Sequence, residues 1–304
     1  MARYLGGRLL GLPAVLLVIV TGSFFIMRIA PGGPFDMERA LPAEVRANIE
    51  ARYHLDEPLV RQYLRYLGDV ARGDLGPSFR YPDRTVTELI TLGFPVSLAL
   101  GACALGLAVL LGGAAGILAG IRHNRLLDYL TMTVALGGVS VPNFVLGPLL
   151  ILLFALWLGW LPVAGWGSWR HLVLPSVTLG VFYMAYVARL ARAGMLEVIF
   201  QDFVRTARGK GLGEAAVVLR HALPSALMPV VSYLGPAAAG ALTGSVVVET
   251  IFGIPGIGRY FVTSALNRDY TMVLGTVIFY SSLLVLFNLV VDLLYAWLDP
   301  RVTY

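Results

Sequence analysis

The chain has 304 residues, of which 58% are hydrophobic and only 13% are charged, and its mean hydropathy is +0.77. Soluble domains carry about 25% charged residues, so this composition excludes an ordinary soluble protein and indicates an integral membrane protein. The net charge of +5 is spread over short loops, which argues against nucleic-acid binding. The single cysteine, Cys103, excludes an internal disulfide.

Six uncharged stretches are long enough to cross a bilayer, which takes about 20 apolar residues. The stretch 129–169 has room for two spans. One long span, broken near Pro142 or Gly147-Pro148, fits better because it keeps the following basic loop inside and places a tryptophan-rich loop at the outer interface. The six predicted spans are 9–27, a span within 89–121 that begins near Pro95, 129–169, 172–188, 226–248 and 270–291.

A polar interlude, 31–93, follows the first span. Leu41-Pro42-Ala43-Glu44 is typical of a helix start, and residues 60–71 carry apolar side chains at helical spacing. Gly73 and Pro77 belong to a run of loop-forming residues after that helix. We predict a small helical domain outside the membrane that lies against the spans; a plain connecting loop is the alternative.

The distribution of lysine and arginine residues among the loops predicts which ends of the spans are cytoplasmic. The segments assigned to the inside hold eleven lysine or arginine residues, whereas the short outer loops hold only Arg170, Arg259 and Arg268. By the positive-inside rule, both termini are cytoplasmic. The predicted domains are 1–30, with the first span, 31–93, the external helical insertion, and 94–304, with spans two to six.

Residues 202–229 are the longest polar interruption in the second half of the chain. Gly209, Gly211 and Gly213 allow positive φ and end helices, so two short helices joined by a turn are predicted. Pro224 then marks the return to a membrane helix, because proline is tolerated in a first helical turn. An ordinary basic inner loop is the alternative.

Sequence motifs for catalysis or coupled transport are missing. No GxxxxGK[ST], HExxH or GxSxG motif occurs, and the four histidines are scattered, which does not make a metal site. No ionisable residue falls near the middle of a predicted span, which disfavours ion-coupled carriers. Glu249 lies at the outer end of a span and is expected to be interfacial.

The 202–229 loop resembles the "EAA" coupling loop of ABC importer permeases. Arg205-Thr206-Ala207, Gly211 and His221-Ala222-Leu223-Pro224 stand at the spacing of that loop. Arg205 replaces the glutamate of the general pattern, as is common in the peptide-importer branch. The literal Glu214-Ala215-Ala216 is out of register, because Arg220 stands where that alignment needs a glycine.

Other motifs extend the resemblance over essentially the whole chain. They are the stretches 30–34, 63–69, 72–79, 248–258, 266–270, 291–295 and 298–301. Together they resemble the B-type permease of bacterial dipeptide and oligopeptide ABC importers. The stretch 34–53 looks closest to the oligopeptide branch.

This resemblance implies an all-α integral membrane protein of the type I importer fold, with six transmembrane helices and a small periplasmic helical domain, in the bacterial inner membrane. It implies a heterodimer with a C-type permease, two cytoplasmic ABC ATPases and a periplasmic peptide-binding protein. The chain itself is then non-catalytic and holds no cofactor, since ATP and magnesium bind to the ATPases. Nickel and glutathione permeases share most of these motifs. Two hypotheses from different classes, an ATP-independent carrier or channel and a structural membrane scaffold, compete with the importer.

The coupling loop, 193–225, is the only site that the resemblance assigns, and no residue of the substrate path is assigned. Arg205, Arg208 and Lys210 are expected to be its polar contacts with an ATPase, with Gly211 at the turn. The full set of expected loop residues is Asp202, Arg205, Thr206, Ala207, Arg208, Lys210, Gly211, His221, Leu223 and Pro224.

Overall fold

The described part of the chain in the computed structural model comprises residues 2–29, 54–81, 83–242 and 245–298. Its regular structure is helical, and the only strand-like pairing within these residues is an isolated bridge between Pro77 and Thr85. The predicted all-α class is therefore confirmed. The helix predicted to start at Leu41 lies outside the described residues.

The helices are numbered along the chain, and segments that continue one another are counted as one helix. Three of them contain a wide π-helical segment, Ala108–Gly112 in α3, Ile151–Trp157 in α5 and Val217–Ala222 in α8. The bounds are α1 Ala2–Ile29, α2 Leu59–Ala71, α3 Val86–Ile121, α4 Leu126–Ser140, α5 Asn143–Trp157, α6 Trp169–Val198, α7 Asp202–Gly209, α8 214–226, α9 Met228–Leu242, α10 Val246–Ile251, α11 Ile257–Leu266 and α12 Tyr270–Leu298.

Four stretches of the described chain are long and apolar enough to cross a membrane. They are Val86–Ile121, Trp169–Val198, Met228–Ile251, which includes the undescribed residues 243 and 244, and Tyr270–Val290. The pair α4 and α5 makes a fifth if it is one broken span, and the apolar part of α1, Pro13–Ile29, is shorter. The count of six spans stays a prediction.

The break between α4 and α5 lies where proline predicted it. The two helices meet at an angle of 105°. Val141, the residue before Pro142, has an extended backbone with ψ 116°, because the proline ring disfavours helical geometry in the preceding residue. Of the two predicted positions, the one at Pro142 is confirmed, whereas Pro148 lies inside α5.

The helix that contains the second predicted span begins nine residues before Pro95, at Val86, and the start of the span near Pro95 stays a prediction. The Thr85 hydroxyl accepts a hydrogen bond from the backbone N–H of Glu88 at 3.2 Å, and the Glu88 carboxylate accepts one from the N–H of Thr85 at 3.1 Å. This reciprocal capping box fixes the helix start, and Pro95 is accommodated inside the helix.

The helix of the fourth predicted span continues ten residues past Ala188, to Val198, and the end of the span at Ala188 stays a prediction. The charges that suggested the end are satisfied within the protein. The Arg189 guanidinium carbon lies 4.6 Å from the centroid of the Tyr186 ring, and Arg192 pairs with Asp128.

The chain divides into two compact units. The first unit comprises Met1–Pro95 and Gly256–Leu283, and the second comprises Val96–Pro255 and Leu284–Tyr304. The predicted domain bounds at residues 30 and 93 stay a prediction.

In the first unit, Asp269 joins two of the stretches that the sequence analysis singled out separately, 72–79 and 266–270. Asp269 is 1% exposed, and its Oδ2 accepts hydrogen bonds from the Ser78 hydroxyl at 2.5 Å and the Arg80 N–H at 3.2 Å. Its Oδ1 accepts from the N–H of Met272 at 3.1 Å, which caps the start of α12. One carboxylate thus holds the loop after α2 to the start of α12.

We expect Asp269→Ala to destabilise this unit by about 2–4 kcal/mol, because it removes a helix cap and strands several buried donors. Thermal unfolding of the purified protein in detergent measures the change. Asn267→Ala, which removes only an exposed side-chain bond to the Thr263 carbonyl, is the control and should be close to neutral. An equal effect of the two substitutions would contradict the role of Asp269.

In the second unit, glycines let α3 and α6 approach at backbone distance. A methyl group at Gly112 or Gly116 would overlap the carbonyl oxygen of Met184 or Ala188, and one at Gly120 would overlap the Met195 side chain. Small residues permit such close packing of helices within a membrane. The inner half of α6 is thereby held rigidly against a second membrane helix.

Glu249 is not interfacial as expected. It is fully buried in the second unit, and its Oε1 accepts a hydrogen bond of 2.7 Å from the Ser97 hydroxyl. Ser97 lies 152 residues away in the chain, on α3, so no local pattern could reveal the pairing. A buried carboxylate needs such donors, because its desolvation is otherwise costly.

Candidate functional site

The coupling loop folds as the predicted helix–turn–helix. Gln201, with an extended backbone, precedes α7, and α7 ends at Gly209. Gly211 has φ 78°, a left-handed conformation that L-residues rarely adopt and glycine tolerates. Gly213 has an ordinary φ of −64° and precedes α8, so only one of the three predicted glycines is required by its backbone angle.

One side of α7 is buried in the second unit. Val204 is 0% exposed and Ala207 is 4% exposed. Both belong to a single apolar cluster with the inner end of α6 and with α8. The other members of that cluster are Met195, Val198, Ile199, Val217, Val218, Ala222 and Ala226. Apolar packing therefore fixes α7 to two helices that lead into the membrane.

The contact between α6 and α8 leaves no room for a side chain at Gly194. A methyl group there would overlap the carbonyl oxygen of Ala226, so the two backbones touch. Because packed backbones do not deform continuously, the inner end of α6, α7 and α8 form one mechanical body.

Arg208 bridges the two arms of the helix–turn–helix. Its Nε and Nη2 donate to the two carboxylate oxygens of Glu214 at 3.1 and 2.6 Å, a bidentate pair. Its Nη1 also reaches the carbonyl oxygen of Ile199 at 3.4 Å. Glu214 lies in the literal EAA triplet that the sequence analysis set aside, so this partner was missed.

The opposite side of α7 and the turn face away from the apolar cluster. Arg205 and Asp202 form a loose pair at 3.6 Å with side chains 68% and 97% exposed. The exposed Lys210 has no acidic partner among the described residues. Thr206, also exposed, bonds back to the carbonyl of Asp202 at 2.8 Å.

Three large apolar side chains share this exposed surface, and the sequence analysis did not identify them. Phe200 is 63% exposed, Phe203 42% and Leu212 41%. Exposed phenylalanines beside cations are typical of protein interfaces. Phe203 directly precedes the buried Val204, about 100° away around the helix, and this offset could have revealed its exposure. We call the surface of Phe200, Phe203, Arg205, Lys210 and Leu212 the coupling surface.

The remaining predicted loop residues lie on α8. His221 and Pro224 are exposed, and Leu223 is half-buried against the apolar cluster. They lie on the arm that returns to the membrane, away from the turn. No group of three or more potential metal ligands occurs among the described residues.

The Arg208–Glu214 pair gives the loop a small pH dependence. Hydrogen bonding to Arg208 holds the pKa of the Glu214 carboxyl below its ordinary value of 4.5. A lowered folded pKa stabilises the loop above that ordinary value, and the stabilisation is lost as the pH falls through the lowered value. Both side chains are more than a third exposed, so we expect at most about 1 kcal/mol.

Limited proteolysis of the loop as the pH is lowered from about 7 to about 3 measures this effect. Cleavage of the wild type should rise at the acid end, whereas Glu214→Gln should be cleaved readily across the range. A wild-type profile identical to that of Glu214→Gln would contradict the pairing.

Comparison with known proteins places this geometry in a family. Residues 112–304 match the family described as the binding-protein-dependent transport system inner membrane component. That stretch contains the whole helix–turn–helix. The chain belongs to this family of transport permeases.

Similarity to curated relatives extends over the full chain. The chain is 49% identical over 306 residues to the oligopeptide transport system permease protein OppB of Haemophilus influenzae, covering 100% of both chains. It is 47% identical over 302 residues to the dipeptide transport system permease protein DppB of Bacillus subtilis, covering 99% of this chain and 98% of that one.

A solved structure shares the fold. An inward-facing form of the MetNI methionine ABC transporter has a chain that is 19% identical, with a TM-score of 0.55, over 69% of this chain and 96% of that one. With its several apolar helices, the permease is a multi-pass integral membrane protein.

Proposed function

We propose that this chain is the membrane-spanning permease subunit of an ATP-driven, binding-protein-dependent importer of peptides. The observation that carries the proposal is α7, whose apolar side is buried in the second unit while its other side carries the coupling surface. A peptide substrate is supported by the full-length similarity to oligopeptide and dipeptide permeases.

The subunit works with partners. It pairs with a second, C-type permease, binds two cytoplasmic ATPases through the two permeases, and receives substrate from a periplasmic peptide-binding protein. It is non-catalytic, and ATP and magnesium bind to the ATPases. It resides in the bacterial inner membrane with both termini in the cytoplasm, as the distribution of cations supports.

The coupling surface binds an ATPase, and the buried side of α7 transmits the motion of that ATPase to the membrane helices. When the ATPases close on ATP, a displacement of α7 moves the C-terminal end of α6 and α8 with it, because Val204 and Ala207 are buried in the apolar cluster that joins the three helices. The result is a rearrangement of membrane helices that opens the path to one side and then to the other.

Co-purification tests the partners. The tagged chain is solubilised from its native membranes, and the recovered proteins are identified by mass spectrometry. A second permease and ATPase subunits are expected, and ATP-dependent peptide uptake by the reconstituted complex is the functional readout. Uptake without ATP by the chain alone would overturn the proposal, and uptake of nickel or glutathione in place of peptides would correct the substrate.

Charge reversal tests the coupling surface. Arg205→Glu combined with Lys210→Glu should lower ATPase recovery by at least about tenfold, because like charges then face the partner's seat. Arg125→Glu, an exposed cation in another predicted inner loop, is the matched control and should leave recovery unchanged. Equal recovery in both variants would place the ATPase contact elsewhere.

A further inference from the structure

The first unit contains a cavity of about 280 Å³ whose polar lining is incompletely paired. The last turn of α1, one side of α2 and the first turn of α12 border it, with Phe24, Gln62, Tyr66 and Leu274 among its lining residues. The coupling loop and the family motifs of the second unit have no part in it.

One buried acceptor and one buried hydroxyl at this cavity lack partners among the described residues. Gln62 is 7% exposed, and its Nε2 donates to the carbonyl oxygens of Leu55 at 3.1 Å and Glu57 at 2.8 Å, while its Oε1 has no donor among the described residues. The buried Tyr66 hydroxyl likewise has no partner there. A buried polar atom without a partner costs about 1–3 kcal/mol, so such a cluster indicates a bound group.

A guanidinium group faces the same cavity. Arg28 is half-buried, and its guanidinium carbon lies 5.3 Å from the centroid of the Phe24 ring and 5.4 Å from that of Tyr270. Among the described residues, Arg28 has no acidic partner. The two rings hold the guanidinium by its faces, which leaves its N–H edge available to an anion.

Asp69 and the Tyr66 hydroxyl are two further polar groups at the cavity, which His54, Arg65 and Thr271 also line. The Asp69 carboxylate lies at the cavity and is 3.8 Å from Arg72, too far for a hydrogen bond. Burial raises the pKa of the Tyr66 phenol, so this hydroxyl stays protonated and can donate. The cavity therefore offers donors for an anion, Arg28 and Tyr66, beside acceptors for a cation, Gln62 and Asp69.

A ligand that fits these groups carries both an anionic and a cationic group. The position of the cavity indicates which class of such ligands it binds. The sequence of α1 is uncharged from Leu9 to Met27, and Arg28 stands in its last turn. The opposite wall is the first turn of α12, where another apolar helix begins. Both helix ends lie at the membrane–water boundary, the depth of phospholipid head groups. Phe24 and Leu274 continue the wall toward the hydrocarbon.

We propose that this cavity binds the head group of an aminophospholipid, with the phosphate on Arg28 and Tyr66 and the primary ammonium on Gln62 and Asp69. The bound lipid ties α2 to the ends of α1 and α12 within the first unit. This site requires only that the chain be embedded in a membrane and does not depend on the transported substrate.

Lipid retention tests the site. The transporter complex is reconstituted in nanodiscs with equal amounts of phosphatidylethanolamine and phosphatidylglycerol, then delipidated stepwise in detergent. Retained lipid is counted by mass spectrometry. The wild type should keep phosphatidylethanolamine in preference to phosphatidylglycerol, and inorganic phosphate should not displace it, because phosphate lacks the ammonium group.

Three variants locate the site. Arg28→Gln should lower retained phosphatidylethanolamine by about tenfold, and Tyr66→Phe, which keeps the ring and removes only the hydroxyl, by about fivefold. Arg61→Gln, an exposed cation on the same helix α2, is the control and should retain lipid as the wild type does. Peptide uptake by each variant is measured alongside, so loss of the lipid is distinguished from failure of the proposed transport.

Three outcomes would overturn the proposal. The first is equal retention by Arg28→Gln, Tyr66→Phe and the wild type. The second is equal retention of the two phospholipids, which would remove the ammonium half of the site. The third is displacement of phosphatidylethanolamine by a zwitterionic dipeptide at low concentration, which would assign the cavity to the substrate instead.

Discussion

Replacing Gly211 with valine is expected to lower ATP-driven uptake by at least about tenfold while the ATPases continue to hydrolyse ATP. Gly211 has φ 78°, and a β-branched residue in that conformation costs upwards of about 1–2 kcal/mol. No atom lies within 4 Å of a Cβ at this position, so the backbone angle alone opposes the side chain. The turn then relaxes and α7 loses its fixed seat. Uptake and ATP hydrolysis, measured in the same proteoliposomes, report the uncoupling.

Two matched variants isolate the backbone effect. Gly209→Val places the same side chain two residues earlier, also in open space but at the helical end of α7, and should keep most of the uptake. Gly211→Asn should be intermediate, because asparagine tolerates the left-handed region better than other residues. Normal uptake by Gly211→Val would contradict the role of the turn in coupling. An equal loss of uptake in Gly209→Val would contradict it as well.

The features that the sequence predicted are those that neighbouring residues determine. The helix predicted at 60–71 is present as Leu59–Ala71. The bend at Pro142 and the turn at Gly211 follow from the restricted or unusual φ of single residues. Helix period, proline and glycine act within a few residues, so they can be read without a structure.

Where the structure differs from the sequence prediction, the partner of a charge lies far away in the chain. Arg192 suggested the end of a span, but Asp128, 64 residues away, receives its charge and α6 continues to Val198. Glu249 suggested an interface, but Ser97, 152 residues away, receives it in the interior. A prediction from the positions of charges alone treats water as the only partner of each charge. It fails where a tertiary contact supplies a partner inside the protein.

Within the candidate site, the sequence predicted the loop but not which of its residues are buried and which are exposed to a partner. Ala207 was expected only as a residue of the loop, with no side of the helix assigned to it, and it is 4% exposed in the apolar cluster. Arg208 was expected to be a polar contact and is held by Glu214. Which residues face a partner depends on which side of α7 the inner end of α6 covers. That choice is made by packing, so the motif spacing could not supply it.

The buried ion pair at the inner end of the second unit is expected to have the largest effect on stability. Asp128 is 1% exposed, and its two oxygens accept from Arg192 at 2.5 and 2.9 Å. The backbone N–H of Asn124 also donates to Asp128, at 3.0 Å, so the pair ties the turn after α3 to α4 and α6. Removing one member leaves the other unpaired in a partly buried place, so Asp128→Ala should destabilise the protein by about 3–5 kcal/mol.

The double variant Asp128→Leu/Arg192→Met separates the pair from the packing around it. Replacing both charges with apolar side chains of similar size removes the unpaired charge, so it should recover most of the stability lost in Asp128→Ala. Asp202→Ala is the exposed control, because Asp202 faces Arg205 at 3.6 Å with nearly its whole side chain in solvent, and it should change the unfolding midpoint little. Thermal unfolding in detergent ranks the three variants. If Asp128→Ala unfolds at the temperature of Asp202→Ala, the buried pair does not hold α6 in place, and the rigidity through which α7 would move the membrane helices must then come from the apolar cluster alone.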